Sequence, residues 1–438
     1  MINALSRLFT NICQRYLPDA YVFSLILTLL VFIFGLSFTD HSALEMINFW
    51  GDGFWNLMKF TMQMTMILIT GFTLAKTKAV NSVLIYLTRF AKGPVSAILM
   101  AVIVSSSACY INWGFGLIVS ALFALELAKK IKNLNFPLLI AASYSGFLVW
   151  HGGLSGSIPL KLTDPSHTIK SIIGRDSIPL SETINSPLNI VMLLGTVLIL
   201  LIICYLLAKD KSQHKLHVVH THNTEKETPT ENTVASKLEH SKVLNLIIAT
   251  MGLFYIFNQL ALGKSFGLNL MIFLFLILAM LFSYTPIRFI NSFHHSVKDS
   301  SGILLQFPFY AGIMGMMSGS GLATEVSQFF VDVSEKQTFL VFTYWSAGLI
   351  NFFIPSGGGQ WAIQGAIILP AAKELGVDLA KASMAIAWGD AWTNMIQPFW
   401  AIPLLSIAKL NLKDIMGYSV IIFIFTGLFS SMVFVIMN

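Results

Sequence analysis

The chain has 438 residues, of which 55% are hydrophobic and only 11% are charged, and its mean hydropathy is +0.73. Soluble domains carry about 25% charged residues, so this chain cannot cover a water-facing surface of ordinary size, and lipid must be its main solvent. The net charge of +6 does not indicate a nucleic-acid partner, because basic residues in a membrane protein usually mark its cytoplasmic loops.

Apolar stretches long enough to cross a bilayer recur along the chain. A membrane-spanning helix needs about 20 mostly apolar residues. No signal-peptide cleavage site follows the first stretch, so we expect it to remain as a helix. The full-length candidates are 17–38, 55–75, 187–208, 243–262, 267–287, 299–318 and 415–437.

Four other apolar stretches are interrupted. Residues 93–128 and 338–373 are too long for a single helix, and each breaks near its centre at a glycine-rich turn. We predict that both form helical hairpins that dip into the bilayer and return. Residues 136–162 and 379–409 are apolar at both ends, with glycine, proline and polar residues between. We predict that both are broken helices.

One segment, residues 209–242, is clearly polar and holds five of the ten histidines. Histidine-rich tracts can bind metals, but here no carboxylate or cysteine cage accompanies them. We therefore interpret the segment as a cytoplasmic linker between two halves.

The two halves carry the same pattern of elements. Adding 243 to positions in the first half aligns identical residues without gaps, and each half then shows a glycine-tipped hairpin, a polar turn and a broken helix. This order at one offset indicates an internal repeat. We assign 1–208 to the first repeat, 243–262 to a connecting helix and 263–438 to the second repeat. The identical pairs are Gln63 with Gln306, Gly116 with Gly359, Lys130 with Lys373, and Gly146 with Gly389.

The charge distribution indicates that the repeats are inverted. Residues 76–132 hold seven Lys or Arg and one acid, whereas the matching window 319–375 holds two Lys and four acids. The positive-inside rule places the first window in the cytoplasm and the second outside. The resulting trace has about nine crossings in a bacterial inner membrane, with a cytoplasmic N-terminus and a periplasmic C-terminus. Inverted repeats with broken helices are typical of secondary transporters.

Four breaks in regular backbone fall within the apolar stretches: the two hairpin tips and the turns at 151–157 and 393–398. Unpaired backbone groups in a bilayer cost several kcal/mol each, so such breaks occur where they are buried in protein or line a wet cavity. Free N–H groups at helix N-termini attract anions, and glycine permits close approach of a ligand. None of the four breaks contains Lys or Arg, which favours a substrate with a single carboxylate.

The residues at these breaks are candidates for binding that substrate, and each also has a structural interpretation. Asn112 could cap the second arm of its hairpin, and Ser356 and Gln360 could act similarly. His151 could be a buried structural histidine, although an ionisable residue at membrane depth suggests function. The predicted substrate-binding residues are Asn112, Gly114, Gly116, His151, Gly152, Gly153, Ser155, Ser356, Gly357, Gly358 and Gln360.

A second candidate group lies at the end of the second broken helix. Asp390 and Asn394 are four residues apart and so share one helical face, and Thr393 lies beside them. We predict that these three residues bind a coupling cation, either Na⁺ or a proton. Indole N–H groups could instead satisfy Asp390, and His151 is the alternative proton carrier because histidine titrates near physiological pH. Six tryptophans near the breaks could form an apolar wall for a short acyl chain: Trp113, Trp150, Trp361, Trp388, Trp392 and Trp400.

Motifs for catalysis or cofactor binding are weak. The sequence at 153–157 lacks the final glycine of a nucleophile elbow, and 357–362 resembles a dinucleotide fingerprint without a preceding strand. His151-Gly152-Gly153 is similar to a lipase oxyanion loop, but the sequence shows no partner serine and acid for it. The three cysteines lack metal or redox spacing. We predict no catalytic residue, bound metal or cofactor, and keep an intramembrane enzyme as the alternative from another class.

Several of these stretches resemble the bacterial short-chain fatty acid transporter family, which belongs to the ion transporter superfamily. The likeness covers nearly the whole chain outside the linker. The stretches are Phe147-Leu148-Val149-Trp150-His151-Gly152-Gly153-Leu154-Ser155-Gly156-Ser157-Ile158-Pro159-Leu160, Asn112-Trp113-Gly114-Phe115-Gly116, Pro355-Ser356-Gly357-Gly358-Gly359-Gln360-Trp361 and Trp388-Gly389-Asp390-Ala391-Trp392-Thr393-Asn394.

The resemblance implies a carrier of short monocarboxylates such as butyrate or acetoacetate. It also implies a homodimer with paired hairpins that moves by an elevator-type mechanism in membrane lipid. Cation-coupled symport of a short-chain carboxylate is therefore the leading hypothesis. A carrier of small dicarboxylates or related anions is the alternative within transport.

Overall fold

The computed structural model describes residues 2–163, 177–209, 233–263, 268–297 and 300–438. Throughout these residues the regular structure is helical, which confirms the predicted all-α fold. Most of the histidine-containing linker lies outside the described residues. Its C-terminal part includes a short helix, Val234–Glu239, and the next long helix begins at Lys242, one residue before the predicted start.

The first half contains both predicted interruptions. The hairpin 93–128 consists of helices Pro94–Ile111 and Trp113–Lys130, separated by Asn112 alone. The broken helix 136–162 consists of Phe136–Ser145, a 3₁₀ segment Gly146–Gly152 and, after a turn, Ser157–Leu162. The other helices are Ile2–Tyr16, Ala20–Phe38, Ala43–Gly53, Met58–Ala75, Lys78–Thr88 and Pro187–Ala208.

The second half repeats this order. Its hairpin consists of Phe339–Asn351 and Gly357–Glu374, and its broken helix consists of Leu379–Thr393 and Ala401–Ala408. The other helices are Lys242–Ala261, Leu268–Ser283, Pro286–Val297, Ser301–Gly319, Leu322–Asp332 and Leu412–Ile436.

Five of the described helices are long and apolar enough to cross a membrane, and a sixth span results if the bent pair Ala43–Gly53 and Met58–Ala75 counts as one. The remaining predicted crossings correspond to shorter helices, such as Leu268–Ser283, or to one with an internal proline, Ser301–Gly319. The chain is therefore a polytopic membrane protein. The five helices are Ala20–Phe38, Pro94–Ile111, Pro187–Ala208, Lys242–Ala261 and Leu412–Ile436, of which Pro94–Ile111 is the first arm of the first hairpin.

Helix boundaries recur at the offset of 243 that the sequence predicted. Adding 243 to Met58–Ala75 gives 301–318, and the observed helix is Ser301–Gly319. Adding 243 to Trp113–Lys130 gives 356–373, and the observed helix is Gly357–Glu374. The offset also places the N-terminal helix Ile2–Tyr16 inside Lys242–Ala261, which we predicted to lack a counterpart.

The packing of the crossing helices is exchanged between the repeats. Met58–Ala75 packs against Leu268–Ser283, and its equivalent Ser301–Gly319 packs against Ala20–Phe38. Met58–Ala75 and Ser301–Gly319 also contact each other. These helices form a scaffold in which each repeat is completed by the other.

The hairpins and broken helices form a second group. In each repeat the broken helix packs against the first arm of its own hairpin, and the two broken helices contact each other. The N-terminal helix departs from the repeat, because Ile2–Tyr16 packs against Leu412–Ile436 whereas Lys242–Ala261 packs against Leu268–Ser283.

Candidate functional site

The first hairpin tip is closed by its own side chains and by the first broken helix. Asn112 Oδ1 accepts hydrogen bonds from the N–H groups of Gly114 and Phe115, at 3.0 and 3.1 Å. Ser155 Oγ accepts from the N–H of Trp113 at 2.9 Å. Asn112 is therefore a helix cap, and Ser155 completes that cap from the neighbouring turn.

The second hairpin tip is more open. Ser356 Oγ accepts from the N–H of Gly359 at 3.3 Å, while Ser356 and Gly358 remain partly exposed. Gln360 is fully buried and turned inward, since its Nε2 donates to the carbonyl of Ala347 at 2.8 Å and to Gln364 Oε1 at 2.7 Å. Ser356 is thus available to a ligand, whereas Gln360 joins the two hairpin arms.

His151 lies where the two broken helices meet. Its Nδ1 is 2.8 Å from the carbonyl oxygen of Ala387 and 3.1 Å from Oδ2 of Asp390, and its Nε2 is 2.9 Å from Oγ of Ser157. Because a carbonyl oxygen only accepts, Nδ1 must carry a proton. Nε2 accepts from Ser157 when the ring is neutral and donates to it when the ring is protonated.

Asp390 is fully buried, and in the described part of the chain His151 is the basic group beside it. The indole N–H groups that could have satisfied Asp390 are directed elsewhere. Trp388 Nε1 donates to Asn189 Oδ1 at 2.9 Å, and Trp392 Nε1 donates to the carbonyl of Phe423 at 2.8 Å. The structural interpretation of Asp390 as an acid satisfied by an indole is therefore wrong.

The second hairpin tip presses against this pair. A Cβ atom built on Gly357 would lie 2.6 Å from His151 Nε2 and 2.6 Å from Ser157 Oγ. Only glycine permits this approach, so the tip, His151 and Ser157 touch directly. Any motion of the tip changes the surroundings of His151 Nε2.

Two contacts between the broken helices are related by the repeat. Tyr144 donates its hydroxyl hydrogen to the carbonyl of Asn394 at 2.6 Å. At the offset of 243, Tyr144 corresponds to Ala387 and Asn394 corresponds to His151, which form the other contact. The two broken helices therefore contact each other at equivalent positions, and His151 belongs to one of these two contacts.

The oxygens of the predicted cation group converge on an amide. Asn351 Nδ2 lies 2.8 Å from the carbonyl oxygen of Asp390, 2.9 Å from Thr393 Oγ1 and 2.8 Å from Asn394 Oδ1. All four residues are buried. The structure therefore brings Asp390, Thr393 and Asn394 together, but three of their oxygens surround a nitrogen of the first arm of the second hairpin.

Two residues of the site are not among those predicted from the sequence. Asn189 joins the broken helices, because its Nδ2 donates to the carbonyl of Gly152 at 2.9 Å and its Oδ1 accepts from Trp388. Lys161 Nζ donates to the carbonyl of Gly358 at 3.1 Å. Lys161 lies in the last turn of the first broken helix, four residues beyond the interval we searched for cations, so only the fold brings its charge to the second tip.

Three of the six tryptophans gather with other aromatic residues in one cluster, which we call the aromatic wall. Trp400 lies 5.1 Å from Trp113 and 6.2 Å from Trp150 between ring centroids, and Trp150 stacks on His151 at 3.6 Å. Trp361, Trp388 and Trp392 lie outside the cluster. The aromatic wall consists of Phe60, Trp113, Phe147, Trp150, Phe307, Phe399 and Trp400.

The chain matches the short chain fatty acid transporter family over residues 1–437. A relative from Escherichia coli (strain K12), named for short-chain fatty acid transport, is 41% identical over 435 residues, covering 98% of each chain. A second, from Haemophilus influenzae (strain ATCC 51907 / DSM 11121 / KW20 / Rd) and named likewise, is 39% identical over an alignment of 443 residues, again covering 98% of each chain. The crystal structure of the Alcanivorax borkumensis YdaH transporter aligns with a TM-score of 0.44 and 14% identity, covering 95% of this chain and 98% of that one.

Proposed function

Because this chain belongs to the short-chain fatty acid transporter family, we propose that it carries short monocarboxylates such as butyrate or acetoacetate across the inner membrane together with a proton. The observation that carries the proposal is the buried pair of His151 and Asp390 at the crossing of the broken helices. His151 takes up the coupling proton at Nε2, and Asp390 balances the charge that results.

The surroundings of His151 supply groups that stabilise a positive charge on its ring. The face of Trp150 stacks on the imidazole ring, and an aromatic face stabilises a neighbouring cation. Asp390 adds a Coulombic attraction of about 4 kcal/mol at 4 Å and an effective dielectric of 20. Nε2 faces Ser157 and the second hairpin tip, so the proton enters on the side where that tip is partly exposed.

The same pair links proton binding to substrate binding. Without the proton, an ionised Asp390 beside a neutral His151 leaves a buried negative charge, which repels a carboxylate substrate. Protonation of His151 makes the pair neutral overall, so the repulsion disappears. Proton and carboxylate then bind more tightly together than separately, which is the requirement for symport.

Sodium is the alternative coupling ion. It would need hard oxygen ligands with lone pairs free to coordinate it. In the structure Asn351 Nδ2 lies between the oxygens of Thr393, Asn394 and the Asp390 carbonyl, so Na⁺ would have to displace this nitrogen to reach them. This arrangement favours a proton over sodium.

An elevator-type motion accounts for the two helix groups. The crossing helices pack into a scaffold, while the hairpins and broken helices pack mainly on one another. We propose that the second group slides as a unit against the scaffold and carries the site across the membrane. We propose that a homodimer holds the scaffold in place. Cross-linking in native membranes of a cysteine placed at the exposed Phe254 tests this proposal.

An intramembrane enzyme is the second candidate, because the structure brings together a serine, a histidine and an acid that are separated in the sequence. Ser157, His151 and Asp390 form a chain with contacts of 2.9 and 3.1 Å, the order of a serine hydrolase triad. However, His151 Nδ1 is closer to the carbonyl of Ala387 than to Asp390, and Gly357 packs against Ser157. Substrate could reach the serine only after the tip moves.

Counterflow in proteoliposomes tests the proposal against the enzyme. Purified protein is reconstituted, loaded with unlabelled acetoacetate and supplied outside with labelled acetoacetate. We expect protein-dependent exchange without chemical change of the label, and a Ser157→Ala variant that exchanges more weakly but likewise leaves the label unchanged. Conversion of the label that stops in Ser157→Ala would establish the enzyme instead.

A further inference from the structure

At four pairs of positions that are equivalent in the two repeats, one residue is aromatic and the other is polar. The aromatic wall occupies one member of each pair, and a polar residue occupies the other. Since an exact repeat would give the same chemistry at both ends, this divergence makes the site polar at one end and apolar at the other. The equivalent pairs at the offset of 243 are Trp113 with Ser356, Phe147 with Asp390, Trp150 with Thr393, and Trp400 with Ser157.

The polar end is built around the second hairpin tip. Ser157 and Ser356 are both partly exposed, and Lys161 Nζ lies 3.1 Å from the carbonyl of Gly358. Lys161 is an exposed ammonium on the broken helix that faces this tip. Hydroxyl groups beside an ammonium are suited to a carboxylate.

The apolar end is built around the first hairpin tip and the scaffold. Phe60 and Phe307 come from the two scaffold helices that contact each other, and Phe60 lies 6.2 Å from Trp113. Trp150 and Trp400 are only 2% and 3% exposed, whereas Trp113 and Phe60 are partly exposed. Trp113 is therefore the indole that a ligand can touch without prior rearrangement of the wall.

We infer that the substrate binds in one fixed orientation, with its carboxylate between Ser157, Ser356 and Lys161 and its alkyl chain against Trp113, which sets the chain-length limit. His151 lies at the boundary, with Trp150 stacked on one side and Ser157 on the other. The inference rests on the proposed transport of monocarboxylates, and it assigns unequal tasks to the two hairpin tips. The second tip binds the carboxylate of the substrate, and the first tip limits the length of its alkyl chain.

Chain-length profiles in counterflow test this orientation. Linear acids from acetate to octanoate compete with labelled acetoacetate in proteoliposomes carrying wild type, Trp113→Leu, or the control Trp345→Leu. Trp345 is 41% exposed and donates to Ser431, outside the aromatic wall. An apolar pocket distinguishes two substrates that differ by one methylene by about tenfold or more. We therefore expect Trp113→Leu to favour pentanoate over butyrate, which differ by one methylene, about tenfold more than wild type, and Trp345→Leu to match wild type.

Variants of Lys161 test the polar end of the site. Lys161→Met should weaken competition by every acid by a similar factor, and Lys161→Arg should restore it, with no change in the length profile. A wild-type length profile in both Trp113→Leu and the milder Trp113→Phe, at normal abundance, would overturn the inference. So would a changed profile in Lys161→Met. Counterflow needs no pH gradient, so failure of proton coupling leaves this test valid, whereas absence of carboxylate exchange in wild type would refute the proposed function itself.

Discussion

Nδ1 of His151 lies 3.1 Å from Oδ2 of Asp390, and both side chains are fully buried although they belong to different repeats. Two ionisable groups placed together inside a membrane protein are costly unless their charges balance. In the proposed mechanism, this contact connects the protonation of His151 to the packing of the two broken helices.

The close approach of each broken helix to its hairpin arm depends on a glycine. A Cβ atom on Gly146 would lie 2.1 Å from Ser105 Oγ and 2.5 Å from the backbone nitrogen of Ser106. Gly146→Ala should destabilise the fold by about 1–3 kcal/mol through overpacking, which thermal unfolding in detergent measures. Gly51→Ala is the matched control, since nothing lies within 4 Å of the added Cβ. Equal melting temperatures for the two variants would contradict this packing.

Asn189 is predicted to be essential for holding the broken helices together. Replacing it with Ala leaves the Gly152 carbonyl and the Trp388 indole without their partner, at about 1–3 kcal/mol for each buried group. Asn189→Ala should therefore unfold at a lower temperature than wild type. Asn258→Ala, at an exposed position, should unfold like wild type. An unchanged melting temperature for Asn189→Ala would show that these hydrogen bonds do not form in the membrane.

The charge distribution predicts inverted repeats, and therefore opposite accessibility for two equivalent lysines. Lys130 and Lys373 each lie in the last turn of the second arm of a hairpin. In a background with alanine at Cys13, Cys109 and Cys204, a cysteine at 130 should react with an impermeant maleimide from the cytoplasm. A cysteine at 373 should react from the periplasm. Labelling of both from one side would show that the repeats are parallel.

Much of the fold was predictable because it depends on local sequence. The hairpins, the broken helices and the offset of 243 follow from apolar length, glycine-rich breaks and spacing, and the helix boundaries agree within a few residues. The exchange of crossing helices between repeats was not predictable. Contacts between Met58–Ala75 and Leu268–Ser283 join residues about 200 positions apart, and single-sequence periodicity contains no signal for such pairs.

Most residues of the candidate site could be predicted from the sequence, but their roles could be predicted only in part. His151 and Asp390 were both singled out as ionisable groups at membrane depth, yet their contact needs the crossing of two helices. Asn112 could be assigned to a cap or to a ligand from sequence, and only the geometry decides for the cap. Lys161 was not predicted, because a charged residue at a helix end normally faces water. Its contact is with the second hairpin tip, which belongs to the other repeat and is distant in the sequence.

Proton movement that accompanies substrate entry tests the central claim most directly. Proteoliposomes loaded with a pH-sensitive dye receive acetoacetate in sodium-free buffer, and protein-free liposomes measure passive entry of the neutral acid. We expect protein-dependent internal acidification, unchanged by added sodium. It should be lost in Asp390→Asn and His151→Gln and retained in Glu374→Gln, whose side chain is exposed. Uptake that requires sodium and leaves the internal pH unchanged, or normal acidification in Asp390→Asn at equal abundance, would contradict proton coupling through His151 and Asp390.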